Sequence, residues 1–267
     1  MTDSRLWAVV PVKPFACAKQ RLAPLLGAGE RAALARAMFT DVLEVVLNSP
    51  CLGGTLVITS DDDAAAIARR AGAAVLPETP AAAPRPAGLV QAVRQAARVL
   101  AAERAAGMLV VPADLPSIQR SDIERIALGH GSAPTVTLVG AAKDGGTNAL
   151  ACSPPDLLPI CFGDDSFRRH HAASMALGVV PKIPVLPRFG RDIDRPGDLY
   201  AFLEQPSTTR AFAYLTDSGI ARRLLELREL PGLRKLPEPR LPQRAPERAP
   251  NCFSAFTFGA TAALSPE

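Results

Sequence analysis

The reading of this chain turns on "LWAVVPVKPFACAKQRLAPLL", Leu6–Leu26. Leu6–Val10 is a short apolar run that predicts a first β-strand. In a nucleotide-binding α/β protein the turn after that strand usually carries glycines, so that backbone amides can wrap phosphates. Here no glycine occurs before Gly27. The turn holds Lys13, Lys19 and Arg21 instead, stiffened by Pro11 and Pro14. Two readings follow. The three cations are solvated loop residues, as most lysines and arginines are, or they form an anion site built from side chains in place of amides.

The rest of the chain alternates strand and helix patterns. Leu34, Met38, Val42, Val45 and Val46 recur at helix-face spacing within a helix predicted from about Glu30 to Leu47. Strand-like runs follow at Thr55–Thr59, more weakly at 73–76, then at Met108–Pro116, 135–140 and 148–152. Helices are predicted from Ser60–Asp63 to Gly72, from Gly88 to about Ala105, and from Phe162 to Gly178. Two more are expected over Pro196–Leu203 and from Thr208 to Leu230. Ser121 and Glu124 have the spacing of a capping box. Prolines in "VVPKIPVL", 179–186, mark an edge strand. This rhythm predicts an α/β domain over 1–230, with a mostly parallel sheet and helices on both faces. Ligands in such sheets bind at the carboxyl ends of the strands. The polar turns Val12–Arg21 and Ala113–Pro116 fall there. Pro77–Pro86 reads as a rigid loop, and proline-rich 231–267 as a disordered tail.

With 267 residues and 48% hydrophobic composition, the chain can bury a large core. A net charge of +4 is too mild for a nucleic-acid footprint, so no nucleic-acid partner is expected. Five scattered cysteines without a C-x-x-C pair argue for reduced thiols and against zinc. The N-terminus lacks a signal-peptide pattern, and no stretch near 18 apolar residues exists. These features predict a soluble cytoplasmic protein without a membrane partner.

Three acidic positions carry the candidate chemistry. Asp114 follows the apolar run in "VVPADLP", and Asp192 and Asp194 form the D-x-D of "GRDIDRPGDL". In an extended segment, residues two apart face one side, so both carboxylates could share a cation. Mg²⁺ suits such hard oxygen ligands together with substrate phosphates. The plainer alternative is that Asp192 and Asp194 merely precede a helix starting at Pro196. "KDGGTNAL" places Thr147 after two glycines, and "CFGDDSFRRHH" places Gly163 and Ser166 at a helix start. Hydroxyls beside helix N-terminal amides can cradle an anion, although a tight turn with an N-cap reads the same way. His170 lies one turn after Ser166, and a lone histidine is more often structural than catalytic. P-loop, G-x-G-x-x-G and G-x-S-x-G patterns are all missing.

Taken together, "VPVKPFACAKQRLAPLL", "VPADLPSI", "DGGTNAL", "FGDDSFRRH" and "DIDRPGDL" occur in the order seen in the CofC/FbiD family. The chain resembles that family over roughly residues 6–205. Its members are guanylyltransferases of coenzyme F420 biosynthesis acting on 2-phospho-L-lactate, phosphoenolpyruvate or 3-phospho-D-glycerate. The resemblance implies one Rossmann-like nucleotidyltransferase domain, MobA-like and GT-A-like. It implies transfer of GMP from GTP to a phosphorylated three-carbon acid, with release of pyrophosphate. It assigns Lys13, Lys19 and Arg21 to the reacting phosphates, and Mg²⁺ to Asp114, Asp192 and Asp194. It assigns the acceptor's phosphate to Thr147, Gly163 and Ser166. The expected partners are GTP, the phospho-acid and a downstream transferase that takes the product; a homodimer is left open. The family's G-L-N after the proline-rich loop stands here as Gly88-Leu89-Val90, which leaves the nucleoside contacts there unassigned. The rival functions are another nucleotidyltransferase, with a sugar phosphate, methylerythritol phosphate or molybdopterin as acceptor, and a nucleotide-binding regulator without turnover.

Overall fold

The computed structural model of the protein describes residues 4–79, 88–141 and 145–229. The chain divides into two units, Met1–Leu227 and Arg228–Glu267. The expected proline-rich tail, with Cys252 and its phenylalanines, lies outside the described residues, as does most of the expected loop over Pro77–Pro86.

Strands and helices alternate in chain order: β1 (Leu6–Val12), α1 (Ala28–Leu47), β2 (Leu52–Thr59), α2 (Asp62–Arg70), β3 (Ala74–Pro77), α3 (Leu89–Ala102) and β4 (Gly107–Val110). Next come α4 (Arg120–His130), β5 (Thr135–Gly140), β6 (Thr147–Ser153) and α5 (Ser166–Ala176). The last elements are α6 (Pro196–Leu203), α7 (Arg210–Asp217) and α8 (Ile220–Glu229). The six strands form one sheet in the order β3-β2-β1-β4-β6-β5. Strand β1 runs parallel to β2 and β4, and β2 parallel to β3. Strand β6 runs antiparallel to both β4 and β5, so the sheet is mixed but mostly parallel. Among the described residues no helix is long and apolar enough to cross a membrane.

The central strands read as unbroken apolar runs because both of their faces are covered. Ala8, Val10, Val57 and Leu109 face one layer, with Phe39 and Val42 of α1 and Ile123 of α4. Their neighbours Val9, Leu56, Ile58 and Met108 face the other, with Val93 and Ala96 of α3. A third cluster lies beyond the carboxyl edge of the sheet. Leu22 and Leu26, just after the cationic turn, pack with Leu34 and Met38 of α1 and with Ile193 and Leu199. Helices α7 and α8 close it through Leu215 and Leu224. This cluster fastens the segment after β1 to the D-x-D segment, which is 170 or so residues away in sequence.

Three local expectations are corrected. Helix α4 is not capped by Ser121 and Glu124. Asp122 accepts the Gln119 N–H at 2.9 Å, while Glu124 pairs with Arg120 at 2.7 Å. Asp122 wins because Arg188 clamps the same carboxylate at 2.6 and 3.0 Å. The single helix expected over Thr208–Leu230 is two. Gly219 turns the chain at φ 75°, a left-handed conformation that suits glycine at a helix end. The 179–186 edge is a single parallel bridge, Lys182 to Thr137, since Pro181 and Pro184 have no N–H to extend it.

Candidate active site

Lys19 is the centre of the cationic turn. Its backbone is left-handed at φ 52°, which costs a non-glycine residue of the order of 1–2 kcal/mol. Its side chain is only 8% exposed, and its Nζ donates to Asp114 Oδ2 at 2.8 Å and to Asp194 Oδ1 at 2.6 Å. Burial by itself would lower the ammonium's pKa, but the Asp114 and Asp194 charges outweigh it and hold the group above the ordinary lysine value. Burial likewise works against ionised Asp194, and Lys19 reverses this, so that carboxyl sits below its usual range. Arg21, half exposed, adds a looser contact to Asp194 Oδ2 at 3.7 Å. Lys13 is exposed beside Glu78.

These groups border a cavity of about 460 Å³ at the carboxyl ends of β1, β3 and β4. Lys13, Lys19, Arg21, Asp114 and Asp194 line its polar part, while Gly88, Leu89 and Ala92 of the α3 start line another wall. The volume lies within the range of small-molecule sites. The Asp192–Asp194 segment is held against the Asp114 turn by the Ile193 N–H, which donates to Asp114 O at 3.2 Å. Ile193 itself is buried in the third cluster, so the aspartates either side of it are turned out of the core.

Asp192 has a different partner. Asn148 Nδ2 donates to Asp192 Oδ1 at 3.0 Å and to Phe189 O at 2.7 Å. Burial raises the Asp192 pKa; the Asn148 bond opposes this, and the Asp114 and Asp194 charges add to the rise. The D-x-D carboxylates thus stand near enough to repel but are held by separate donors. Among the described residues no three side chains form a ready metal cage. The donor set still fits a magnesium ion taken by one or two carboxylates together with substrate phosphates, which is how that ion is usually bound. The mutual repulsion at Asp192 is what a cation would relieve.

Thr147 opens β6, next to Asn148, and successive strand residues face opposite sides. Thr147 Oγ1 lies 3.0 Å from His170 Nδ1 of α5. Ser166, the first residue of α5, is 1% exposed, and its Oγ is buried with no hydrogen-bond partner. Gly163 at φ 121° and Asp165 at φ 54° bend the chain into that helix start, a conformation open to Gly163 because it lacks Cβ. The Phe167 N–H donates to Gly145 O at 3.0 Å and holds the helix start against the turn before β6.

The structure therefore brings eight of the nine expected residues into two groups. Lys13, Lys19, Arg21, Asp114 and Asp194 meet at one cavity, and Thr147, Gly163 and Ser166 meet at the β6–α5 junction. Asp192 belongs to neither group and is bonded to Asn148, the chain neighbour of Thr147. Sequence reasoning passed over Asn148 and His170 as parts of this network. The first carried no signal beyond adjacency to Thr147; the second had only its one-turn spacing from Ser166. It also missed Arg188, whose bond to buried Asp122 anchors the segment leading to the D-x-D.

Residues 6–227 match the family described as guanylyl transferase CofC like. The phosphoenolpyruvate guanylyltransferase of Roseiflexus sp. (strain RS-1) is 39% identical over 204 residues, 76% of this chain and 87% of that protein. The 3-phospho-D-glycerate guanylyltransferase of Colwellia psychrerythraea is 35% identical over 202 residues, 75% of this chain and 93% of that protein. Among solved structures, a nucleotidyl transferase from Methanothermobacter superposes with a TM-score of 0.52 at 17% identity, covering 80% of this chain and 100% of that one. That likeness concerns the fold.

Proposed function

The chain belongs to the CofC-like guanylyl transferase family and is a nucleotidyltransferase, and on that premise we propose that it moves the GMP group of GTP onto the phosphate of a small three-carbon phospho-acid. The observation that carries this reading is Lys19, held in a strained backbone between Asp114 and Asp194 at the cavity wall. At the same cavity Lys13, Lys19 and Arg21 set three positive charges against the carboxylates of Asp114 and Asp194, a balance suited to a reaction between anions.

An acceptor phosphate oxygen attacks the α-phosphorus of GTP. The new P–O bond forms as the bond to the β-phosphate breaks, and pyrophosphate leaves with its electron pair. The nucleophile is already ionised, so no strong base is required. Repulsion, alignment and charge on the leaving group set the barrier, and positioned cations act on all three. Lys13, Lys19 and Arg21 draw the triphosphate into the cavity. Thr147 and Ser166 offer hydroxyl donors to the acceptor's phosphate, with Gly163 allowing close approach. Asp114, Asp192 and Asp194 would hold Mg²⁺, which when bound neutralises phosphate charge. The relatives' names make phosphoenolpyruvate and 3-phospho-D-glycerate the first acceptors to try, with 2-phospho-L-lactate beside them. A role in coenzyme F420 biosynthesis follows from the same family reading.

The test crosses four nucleoside triphosphates with a panel of phospho-acids and detects pyrophosphate and the nucleotidylated acid by mass spectrometry. The expected result is a guanylyl product with one three-carbon acid. Turnover only with sugar phosphates, or none with any pair, would overturn the reading.

A further inference from the structure

We propose that His170 is a positioning residue for the acceptor: it fixes the Thr147 hydroxyl so that its proton points to the acceptor's phosphate. The proposal rests on the reading of Thr147 given above. His170 is completely buried in α5, and its Nε2 lies 2.9 Å from the backbone nitrogen of Cys161. A backbone N–H can only donate, so Nε2 must present a bare lone pair. The ring is neutral, and its single proton therefore sits on Nδ1. Nδ1 is 3.0 Å from Thr147 Oγ1, which accepts that proton. The hydroxyl of Thr147 keeps its own proton, and none of the described residues accepts it.

The direction of every bond in this chain is forced by its first member. Cys161 N–H donates to His170, His170 N–H donates to Thr147, and Thr147 O–H is left as an uncommitted donor. Bonds in series polarise one another, which makes the last donor stronger. A flipped ring would set carbon atoms against the Cys161 N–H and the Thr147 hydroxyl and lose both bonds; Phe162 packs against the ring edge-on with centroids 5.1 Å apart. Burial, aided by the Arg169 charge, depresses the His170 pKa to about 4, so the ring stays neutral at pH 7. One turn earlier on the same helix, Ser166 Oγ is the second hydroxyl without a partner. Two uncommitted donors at one junction are what a phosphate oxygen would satisfy.

The first measurement uses the unaltered protein. Nitrogen-15 labelling of its three histidines reads the tautomer of each ring. A neutral His170 with the proton on Nδ1 is expected, and a proton on Nε2 overturns the proposal. The second is a set of substrate titrations on Thr147→Val, His170→Phe, His170→Gln and the Thr147→Val/His170→Phe pair. His170→Phe should raise the KM for the phospho-acid about tenfold, and leave that for GTP within twofold. The glutamine amide carries an acceptor and a donor about as far apart as the ring nitrogens, so His170→Gln should recover most of the loss. In the Thr147→Val background, His170→Phe should add less than twofold. Effects that multiply in the double variant would show that His170 acts without Thr147, and would overturn the proposal. Should Thr147→Val leave the phospho-acid KM unchanged, the Thr147 reading falls and this one with it. A tenfold effect of Thr147→Val beside none of His170→Phe sinks this proposal alone.

Discussion

At the scale of the residue, Lys19 decides the site. It carries an unfavourable backbone conformation and a desolvated charge, and both are offset by two short ion pairs. Such strain persists where the surroundings over-determine it, and it gathers at functional sites. Replacing Lys19 with Ala should lower kcat/KM for GTP by about 10²–10³-fold, the scale for losing one fixed electrostatic group. The KM for the phospho-acid should change far less, the reverse of Thr147→Val. Paired titrations of the two substrates separate these cases; a Lys19→Ala enzyme impaired toward the acid alone would place the two anion sites the other way round. Asp194→Asn tests the carboxylate side of the same contact. It removes one of Lys19's two anions and a candidate metal ligand, so turnover should fall by about 10²-fold or more, and the melting temperature should fall too, because buried Lys19 keeps only Asp114. Full turnover at low Mg²⁺ would rule out its role.

At the scale of the element, the site depends on how the D-x-D segment is held. Leu22 is fully buried in the cluster that also holds Ile193 and Leu199. Leu22→Ala should therefore cost about 2–5 kcal/mol by denaturant titration, and should impair turnover too, because it loosens the turn that carries Lys19. Helix α7 offers the contrasting case. Its first N–H groups, those of Arg210 and Ala211, donate to Asp41 of α1 at 2.7 and 2.9 Å. Asp41→Ala leaves these amides without that acceptor and should cost about 1–2 kcal/mol. Burial already raises the Asp41 pKa despite those bonds. Asp41→Asn keeps an oxygen acceptor without the buried charge and should cost less. Both Asp41 variants should keep wild-type turnover once folded. A loss of kcat in Asp41→Asn would mean that the α7 start acts on the site through the cluster that Leu215 shares with Leu22 and Ile193.

At the scale of the whole molecule, two buried histidines make the fold sensitive to acid. His170 is bonded as described, and His130 lies between Thr137 at 2.8 Å and Ser153 at 3.1 Å. Burial depresses both from the ordinary histidine value of 6.5 to about 4, aided by Arg169 at one and Lys182 at the other. Because the folded values lie below the unfolded one, the unfolded chain binds more protons between them. Their contribution is fully present above about pH 6.5 and is lost as pH falls toward 4. Near pH 5 the two together set a slope of roughly 2–3 kcal/mol per pH unit. Urea titrations at pH 7, 6 and 5 should show it, and equal stability at pH 7 and 5 would contradict it. What the sequence determined by itself was the layered α/β fold and the nine candidate residues: apolar periodicity marks strands and helices one segment at a time, and motif order survives in a linear string. The sequence could not say where one helix breaks in two at Gly219, which of Asp122 and Glu124 caps α4, or who partners whom. Those outcomes depend on contacts between distant segments. Asp122 is decided by Arg188, Asp192 by Asn148, and the proton of Thr147 by a backbone amide at Cys161. Hydrogen bonds are short-ranged and directional, so only the packing that sets these groups about 3 Å apart could choose among them.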